Sequence, residues 1–390
     1  MIKINATILE EGLVEDLEKL IKDNKELFED SQVALMPDAH KTNSIPVGFT
    51  MTVPHYRVAP DFISSDISCG MSSVLIENWK PTERELRNLS FIIRDLVQVN
   101  RRHDQYYGGV TDHGTLGGGN HFVEIGLNDN DTLITVHSGS RNLGGETFKK
   151  WKKISQQQYK ELQKDSTRKM LESIPPKDRQ KWLLENKPKP RKIDYVDLSL
   201  DKDLKKDFEI DYYTANQYAL DNRRYILNTI LEYFQYMENG LKGEFINCTH
   251  NYIDFDEKPW VIRKGSIKAV NGDTIIIPIN MRDGIIIGDV TERGEFNNSL
   301  PHGAGRILSR TKAFEKLDME QFKNDMKDVV SSTVVYDTLD ESPRAYKGID
   351  TILDDIGDGL ENVRVFKSVF NYKGVEWWEN IKNILWTVCM

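Results

Sequence analysis

The chain has 390 residues, of which 39% are hydrophobic, so it is long enough to bury the core of one large or two ordinary globular domains. Its formal net charge of −9 at pH 7 excludes a uniformly basic protein that coats nucleic acid through overall charge. The first residues lack a secretory signal, and no uncharged apolar run reaches the roughly 18 residues of a membrane helix. Three cysteines form an odd, sparse set that suits a reducing compartment, so we expect a cytoplasmic protein without membrane contact.

Apolar periodicity and turn residues divide the chain into alternating helical and strand-like segments. Thr82, followed three residues later by Glu85, predicts the capping box that opens a helix. In chain order, the predicted elements are an amphipathic helix at 12–29, short strands and polar loops over 33–76, a helix at about 82–99, strands and loops over 115–145, a mostly helical segment over 146–192, a long helix at 203–238, strands over 244–290, a helix around 311–328 and a closing strand segment.

Residues suited to chemistry are scattered over nearly the whole length, which favours one compact domain spanning 1–390 with a central cleft. The helical segment at about 146–192 is predicted to be an insertion into this domain. Its part from 151 to 192 carries 13 Lys and Arg against 5 Asp and Glu, and it ends at Lys-Pro-Lys-Pro (187–190), because proline prevents continuation of a helix. This positive charge fits either a solvated helical surface or a surface that meets a nucleic-acid backbone.

Several of the eight histidines stand where binding sites are commonly built. His40 lies beside a predicted strand end and its role stays open, while His55, His103 and His113 have the contexts of structural or surface residues. The remaining four each follow an apolar run in a short polar loop, a usual position for catalytic and binding residues. They are His121, His137, His250 and His302.

A carboxylate and a thiol, Asp66 and Cys69, stand three residues apart on a predicted turn and can converge on one centre. A free thiol has a pKa of about 8.5, so its anion needs a metal or a positive charge to persist at neutral pH. Joined by imidazoles, this set suits Mn, Zn, Fe or Co better than Mg or Ca. Because neither a CxxC nor an HExxH motif is present, the spacing also fits a buried cysteine beside a turn aspartate.

The stretch His-Gly-Ala-Gly-Arg places His302 directly before two glycines, with Arg306 and Arg310 four residues apart. Glycines allow close approach of backbone to ligand, and arginines four apart on one helix face can both bind phosphate oxygens. His302 would then be a hydrogen-bonding residue or a nucleophile that attacks phosphorus. A glycine turn before an ordinary helix is the other interpretation. No Walker-type loop is present, which argues against an ordinary P-loop nucleotide site.

Eight motifs occur in an order that resembles the RtcB family of RNA ligases, from residue 36 to the C-terminus. Any one motif is weak, whereas eight in the same order are highly specific. They are Met-Pro-Asp-Ala-His (36–40), Asp-Ile-Ser-Cys-Gly-Met (66–71), Gly-Thr-Leu-Gly-Gly-Gly-Asn-His-Phe-Val-Glu (114–124), His-Ser-Gly-Ser-Arg (137–141), Cys-Thr-His-Asn (248–251), Arg-Lys-Gly (263–265), His-Gly-Ala-Gly-Arg (302–306) with Ser-Arg (309–310), and Ala-Tyr-Lys (345–347).

The resemblance implies an enzyme that joins RNA 3′-phosphate or 2′,3′-cyclic phosphate ends to 5′-hydroxyl ends, in tRNA splicing or RNA repair, using GTP and two Mn²⁺ ions. It implies an α+β fold with mixed or antiparallel sheets around a central metal cleft, flanked by helices. His302 would take GMP from GTP as a phosphoramidate and pass it to the RNA 3′-phosphate, and the 5′-hydroxyl would then displace GMP. The other implied roles are metal binding by Asp66, Cys69 (bridging), His121, His137 and His250; nucleotide binding by Asn120, Glu124, Asn280, Ala304, Gly305 and Tyr346; and RNA phosphate binding by Arg141, Arg306 and Arg310.

The chain departs from the family pattern at four places. Ser68 replaces the glycine of Asp-Ile-Gly-Cys, and Lys-Thr-Asn-Ser at 41–44 replaces a glycine-bearing loop. Residues 278–282 read Pro-Ile-Asn-Met-Arg instead of Pro-Gly-Ser-Met-Gly, and the family's terminal Lys-Gly, whose lysine contacts guanine, is missing after residues 388–390. We therefore expect a divergent member that binds guanine differently or less selectively.

Two other functions fit the same motifs. A metal-dependent RNA cyclic phosphodiesterase would open cyclic phosphates without joining RNA ends. A non-catalytic protein that binds RNA ends would keep the fold around a degenerate site, although the complete set of matching metal ligands argues against such decay.

Overall fold

The structure of the chain, a computed structural model, describes residues 2–7, 9–106, 113–186, 193–235, 243–292 and 294–374. The prolines expected to end the basic segment, at 187–190, and the C-terminal residues 388–390 lie outside this part of the chain. Within it, no helix combines the length and the apolar character needed to cross a bilayer.

The described strands contribute to two large sheets and two short ribbons. They are β1 (Ile2–Ile4), β2 (Val33–His40), β3 (Val47–Val53), β4 (Arg57–Val58), β5 (Gly70–Ile76), β6 (Phe122–Asn128), β7 (Asp131–Ser138), β8 (Val196–Asp197), β9 (Gly243–Thr249), β10 (Asn251–Asp254), β11 (Trp260–Lys264), β12 (Ser266–Lys268), β13 (Thr274–Asn280), β14 (Gly284–Val290), β15 (Ser299–Pro301) and β16 (Leu360–Lys373).

The helices alternate with these strands along the described residues. They are α1 (Leu13–Asp23), α2 (Lys25–Phe28), α3 (Glu83–Tyr106), α4 (Arg141–Ser173), α5 (Arg179–Glu185), α6 (Lys202–Tyr233), α7 (Arg310–Lys316), α8 (Met319–Asp325) and α9 (Ile349–Ile356), with short 3-10 turns between some of them.

The larger sheet has seven antiparallel strands in the order β13-β14-β16-β6-β7-β5-β9. The second has the order β1-β2-β3-β11-β10 and is mixed, because β1 and β2 are parallel. Two-stranded ribbons join β12 to β15 and β4 to β8. The expected α+β class with mixed and antiparallel sheets is therefore confirmed, whereas the single-domain extent and the insertion at about 146–192 stay predictions.

The loops that contain the candidate site residues meet at one end of the strands of the seven-stranded sheet, and this end is called the edge below. Gly70, the first residue of β5, pairs with Ser138 at the end of β7 and with Thr249 at the end of β9. Phe122, which opens β6, pairs with His137 and with Lys373, the last residue of β16. Because neighbouring strands are antiparallel, residues that precede one strand and follow the next meet at this edge.

Apolar packing fixes the position of that edge. The isoleucines of β13 and β14 are buried among residues of β9, β15 and α9. Ile226, Leu227 and Ile230 of α6 pack on the opposite side, against strands β5, β6 and β7. The same helix presents Asn222 and Arg223, both fully buried, toward the loops at the edge.

Side-chain caps confirm one predicted helix boundary and correct another. The backbone N–H of Thr82 donates to Glu85 Oε2 at 2.6 Å and that of Glu85 donates to Thr82 Oγ1 at 3.3 Å, so the predicted capping box is confirmed. The single helix expected around 311–328 is wrong, because Asp318 accepts from the backbone N–H groups of Glu320 and Gln321 and starts α8 as a separate helix.

Candidate active site

A cavity of about 280 Å³ lies between the chemistry-bearing edge of the large sheet, the end of β13 and the loop that begins at His302. Asp66, Cys69, His121 and Arg141 are outside its lining. The predicted site residues that line it are Asn120, Glu124, His137, His250, Asn280, His302, Ala304, Gly305, Arg306, Arg310 and Tyr346.

Two groups of potential metal ligands share one cysteine at this edge. Cys69, His137 and His250 form the first group, and Asp66, Cys69 and His121 form the second, with the donor atoms of each group within 4.8 Å of one another. Cys69 Sγ lies 3.2 Å from Nε2 of both His121 and His137. The five residues predicted to bind metal are thus brought together, and the Cys69 thiol belongs to both groups.

Hydrogen bonding indicates that imidazole lone pairs face this centre. His137 Nδ1 lies 3.2 Å from the carbonyl oxygen of Asn120, so its N–H donates there and Nε2 is left unprotonated. That Nε2 lies 3.3 Å from His250 Nε2. Burial lowers the pKa of both His137 and His250 well below the ordinary value. Neutral imidazoles that converge on a thiol in a buried space are the donors of a borderline cation, so the residues fit a metal.

The carboxylate and the thiol of the centre respond to burial in different ways. Burial alone would raise the pKa of Asp66, but His121 at 2.9 Å and the nearby Arg141 hold it well below its ordinary value. Burial, assisted by the charge of Asp66, raises the pKa of the Cys69 thiol. The thiol therefore binds a proton at neutral pH unless a bound cation displaces it.

Arg223, which the sequence analysis did not predict as a site residue, donates hydrogen bonds to the backbone beside the potential metal ligands. Its guanidinium donates to the carbonyl oxygens of Ser68 and Ser138, each at 3.0 Å, and to Ser72 Oγ. Burial lowers its pKa to about 10, so it remains a cation at neutral pH. Nothing local marks this residue within the helical pattern of α6.

Ser68 lies in the left-handed region, with φ of 58°, and its Oγ is buried without a hydrogen-bond partner among the described residues. This conformation explains why a glycine suits the position, since a side chain is strained there. Cys69 follows Ser68, and its carbonyl oxygen accepts from the backbone N–H of His250 at 2.9 Å. This bond holds the turn that contains Ser68 and Cys69 against the loop that contains His250.

His302 is oriented by a buried carboxylate. Its Nδ1 lies 2.5 Å from Asp38 Oδ2, and its backbone N–H donates to the same oxygen at 3.1 Å. Because Nδ1 donates to a carboxylate, Nε2 keeps its lone pair and is free to act as a nucleophile. The rings of His302 and His250 are 4.6 Å apart between centroids, so this imidazole stands beside the metal-ligand groups.

Asp38 was part of a recognised motif but was not predicted as a site residue. It is fully buried, and a Cβ at Gly305, where φ is 74°, would lie 2.8 Å from its Cα. Glycine is therefore required at 305 for the His302 loop to reach Asp38. His40 also lines the cavity, with Nδ1 3.0 Å from the carbonyl oxygen of Asp38.

The opposite wall of the cavity is built by one patch of two paired strands. Glu124 of β6 pairs with Asn371 of β16, and Phe122 pairs with Lys373. Since side chains alternate between the two faces of a sheet, these four side chains share one face, and all of them line the cavity. Lys373 Nζ lies 5.0 Å from the centroid of the Phe122 ring.

Comparison with known proteins identifies the family. A model of the family described as tRNA-splicing ligase RtcB matches residues 94–374. The chain belongs to the RtcB family. It is 26% identical to the RNA-splicing ligase RtcB of Escherichia coli K12, over 92% of this chain and 93% of that protein. It is 23% identical to the tRNA-splicing ligase RtcB of Nanoarchaeum equitans, over 90% of this chain and 87% of that protein.

The RtcB match ends at a Lys-Gly pair that was expected to be missing. Lys373 ends β16 and lines the cavity, and Gly374 follows it. A Lys-Gly pair is thus present in the chain, ahead of residues 375–390 and not at the chain end where the sequence analysis sought it. The Gly374 N–H donates to the carbonyl oxygen of His121 at 2.9 Å. A Cβ at Gly374 would lie 1.7 Å from the carbonyl oxygen of Gly117, so only glycine fits there.

Glu341, which the sequence analysis did not predict as a site residue, accepts hydrogen bonds from cationic side chains and from the tyrosine of this RtcB cavity. It accepts from Lys373 Nζ at 2.8 Å and from the Tyr346 hydroxyl at 2.7 Å. Arg306 Nη1 donates to it at 3.2 Å and lies under the Tyr346 ring. Burial opposes ionisation, but Lys373 and the arginines hold the pKa of Glu341 at about 2.

The predicted helix face shared by Arg306 and Arg310 is wrong. Arg306 lies in a β-bridge with Tyr346, and α7 begins only at Arg310, because Ser309 Oγ caps it through the backbone N–H of Lys312. The two guanidinium groups nevertheless converge on the adjacent carboxylates of Asp340 and Glu341. Arg310 is half exposed at the cavity edge.

Two predicted residues have local roles. Arg141 opens α4 with φ of 54°, and a Cβ at Gly117 would lie 2.1 Å from its Nη1, so it packs under the glycine loop rather than lining the cavity. Asn280 lines the cavity, but its side chain closes the β13–β14 turn: Oδ1 accepts from the N–H groups of Arg282 and Asp283, and Nδ2 donates to Asp283.

Proposed function

We propose that this RtcB-family chain joins RNA 3′-phosphate or 2′,3′-cyclic phosphate ends to 5′-hydroxyl ends in the cytoplasm, using GTP through a histidine–GMP intermediate. The placement of His302 supports the proposal most strongly. Its Nδ1 is held by Asp38 at 2.5 Å, and its ring stands 4.6 Å from that of His250, on the wall of the cavity of about 280 Å³.

In the first step, the Nε2 lone pair of His302 attacks the α-phosphorus of GTP, a P–N bond forms, and the bond to the β-phosphate oxygen breaks as pyrophosphate leaves. The imidazole gains positive charge in this step. Asp38, fully buried beside Nδ1, stabilises that charge and keeps the ring in the attacking orientation.

In the later steps, an oxygen of the RNA 3′-phosphate displaces His302 from phosphorus and becomes joined to GMP. The RNA 5′-hydroxyl then attacks the 3′-phosphorus, loses its proton, and releases GMP. Arg310, half exposed at the cavity edge, is suited to bind an RNA phosphate. Arg306, in the β-bridge with Tyr346, and Arg141, under the glycine loop, are proposed to assist Arg310 in binding the RNA phosphate.

We infer that Asp66, Cys69, His121, His137 and His250 would hold two Mn²⁺ ions, with Cys69 common to both groups of ligands. Bound there, they would neutralise the triphosphate and the charge that develops on phosphorus. The common thiol of the two ligand groups supports this assignment.

The shared thiol can be tested with Co²⁺ as a spectroscopic probe. Wild type should show a thiolate-to-metal charge-transfer band, and Cys69→Ser should lose it. Cys248→Ser is the matched control, because Cys248 is also buried but belongs to neither group of metal ligands. A band that survives Cys69→Ser would remove Cys69 from the metal site.

The nucleotide is proposed to bind between the His302 loop and the β6–β16 wall. Ala304 and Gly305 line the side nearest His302, and Asn120, Glu124, Asn280, Tyr346 and Lys373 line the rest. Lys373 lines the cavity and is proposed as the guanine-contacting lysine that the resemblance implies. With Lys373 in this role, the base pocket departs less from the family pattern than residues 388–390 alone indicate.

Ligation of RNA tests the activity. A 3′-phosphate RNA and a 5′-hydroxyl RNA should be joined in the presence of Mn²⁺ and GTP by wild type but not by His302→Ala. Conversion of a cyclic phosphate to a 3′-phosphate without joined product would instead establish a phosphodiesterase. Tight RNA binding without either product would establish an RNA-end-binding protein.

A further inference from the structure

Asn371 stands directly opposite Glu124 across the β6–β16 pair, and both side chains line the cavity. Asn371 Nδ2 donates to Glu124 Oε2 at 2.6 Å. In this bond the N–H₂ group, the donor of the amide, faces Glu124. The carbonyl oxygen Oδ1 is therefore turned away from Glu124.

Two acceptor atoms of this pair have no partner among the described residues. Asn371 Oδ1 and Glu124 Oε1 make no hydrogen bond with these residues. Both atoms are buried, since Asn371 is only 1% exposed and Glu124 only 2%. A buried acceptor without a partner is unfavourable, and natural proteins rarely keep one without a reason. Two of them on adjacent strands, in the wall of the same cavity, indicate that a ligand supplies the donors.

The chemistry of the two acceptors selects one base. Guanine carries a ring N–H next to an exocyclic amino group, so one edge offers adjacent donors. Adenine and cytosine place a ring acceptor beside their amino group, and uracil places its ring N–H between two carbonyl oxygens. Guanine is thus the base whose edge complements two neighbouring acceptors.

We propose that Asn371 is a specificity-determining residue of the nucleotide site, whose Oδ1 accepts a hydrogen bond from the 2-amino group of guanine while its amide holds Glu124 for the ring N–H. Asn371 belongs to none of the motifs that carry the family resemblance. This inference rests on the proposed function, because it assigns the base in the same cavity.

The neighbouring pair on the same sheet face supports this placement. Phe122 lies two residues before Glu124 on β6, Lys373 lies two residues after Asn371 on β16, and both line the same cavity. The Phe122 ring provides an apolar surface for a base, and Lys373 is held by Glu341 at 2.8 Å. The base edge would then face Glu124 and Asn371 while its ring lies against the neighbouring pair.

The test compares equilibrium binding of GMP and IMP by calorimetry, since IMP differs from GMP only by the missing 2-amino group. Wild type should bind GMP about three- to tenfold more tightly than IMP, the usual worth of one hydrogen bond. In Asn371→Leu this preference should fall to near one, and the smaller, polar Asn371→Ser should show the same loss without a packing conflict. Asn128→Leu, on the same strand as Glu124 but bonded to Val365, is the matched control and should keep the wild-type preference.

Equal binding of GMP and IMP by wild type, or a preference that persists in both Asn371 variants, would overturn the inference. If wild type forms the His302 adduct from GTP but either of these results is found, only the role of Asn371 is overturned and the proposed function stands. A wild type that binds neither nucleotide would overturn both the inference and the proposed function.

Discussion

Replacement of Glu124 by glutamine should change how stability depends on pH. Burial raises the pKa of Glu124 to about 8 from an ordinary value of 4.5. Between these two values the folded chain binds a proton at Glu124 that the unfolded chain has lost, so the free energy of unfolding decreases as pH rises. Glutamine has nearly the same shape and cannot ionise, so Glu124→Gln should lack this decrease.

The magnitude follows from the width of that interval. Each pH unit within it costs about 1.4 kcal/mol, so the carboxyl should lower wild-type stability by on the order of 4 kcal/mol between pH 4.5 and 8. Because Glu124 is only 2% exposed, little solvent screening reduces this figure. At pH 5 the two proteins should be of similar stability, and at pH 8 the variant should be clearly the more stable.

Urea unfolding of both proteins at pH 5, 6.5 and 8 measures the effect, with Glu146→Gln on the exposed surface of α4 as the control. The stability difference between Glu124→Gln and wild type should grow with pH, while that of the control stays constant. A difference that does not change with pH would refute the claim that Glu124 is held protonated by its surroundings. The same ionisation predicts that GMP affinity of wild type rises toward pH 8, since the carboxylate is the form that accepts donors.

Three further substitutions probe the site. Glu341→Gln should cost about 3–5 kcal/mol in urea unfolding at pH 7, because Lys373 loses its buried partner, and a cost below about 1 kcal/mol would contradict the assigned pairing. Ser68→Gly should raise the melting temperature of the metal-free protein by a degree or two, since it relieves a left-handed residue and a buried unpaired hydroxyl; a lowered temperature would argue against strain. Gly374→Ala should abolish GMP binding, because its Cβ would lie 1.7 Å from a carbonyl oxygen, whereas Gly145→Ala, with nothing within 4 Å, should bind normally. Unchanged GMP binding by Gly374→Ala would separate this glycine from the pocket.

Local patterns in the sequence predicted much of the fold. The capping box at Thr82 and Glu85 gave the start of α3, and the apolar runs after residue 33 became β2, β3 and β5. The break between α7 and α8 was missed, because Asp318 acts as a cap only through backbone geometry that the apolar pattern does not display. The pairing of β16 with β6 joins segments more than 200 residues apart, and no local pattern encodes it.

Motifs predicted the candidate metal ligands and His302, because each stands in a short loop beside a strand end or, for His137, at the end of β7. Arg223 and Asn371 were missed, since a single polar residue within a helix or a strand has no local signature. Their roles depend on which loop or strand lies opposite, and only the sheet register shows this. Lys373 was missed for another reason: it was sought at the chain end, whereas the strand that carries it ends before residue 375.

The proposed function depends on His302 as the nucleophile, and the mass of the intact protein tests this directly. After incubation with GTP and Mn²⁺, wild type should gain the mass of one GMP, located on His302 by peptide mapping, and His302→Ala should gain none. Asp38→Asn should form the adduct more slowly, because a neutral amide stabilises the charged imidazole less well. Absence of any nucleotide adduct on wild type with all four nucleoside triphosphates, or an adduct that persists in His302→Ala, would contradict the account.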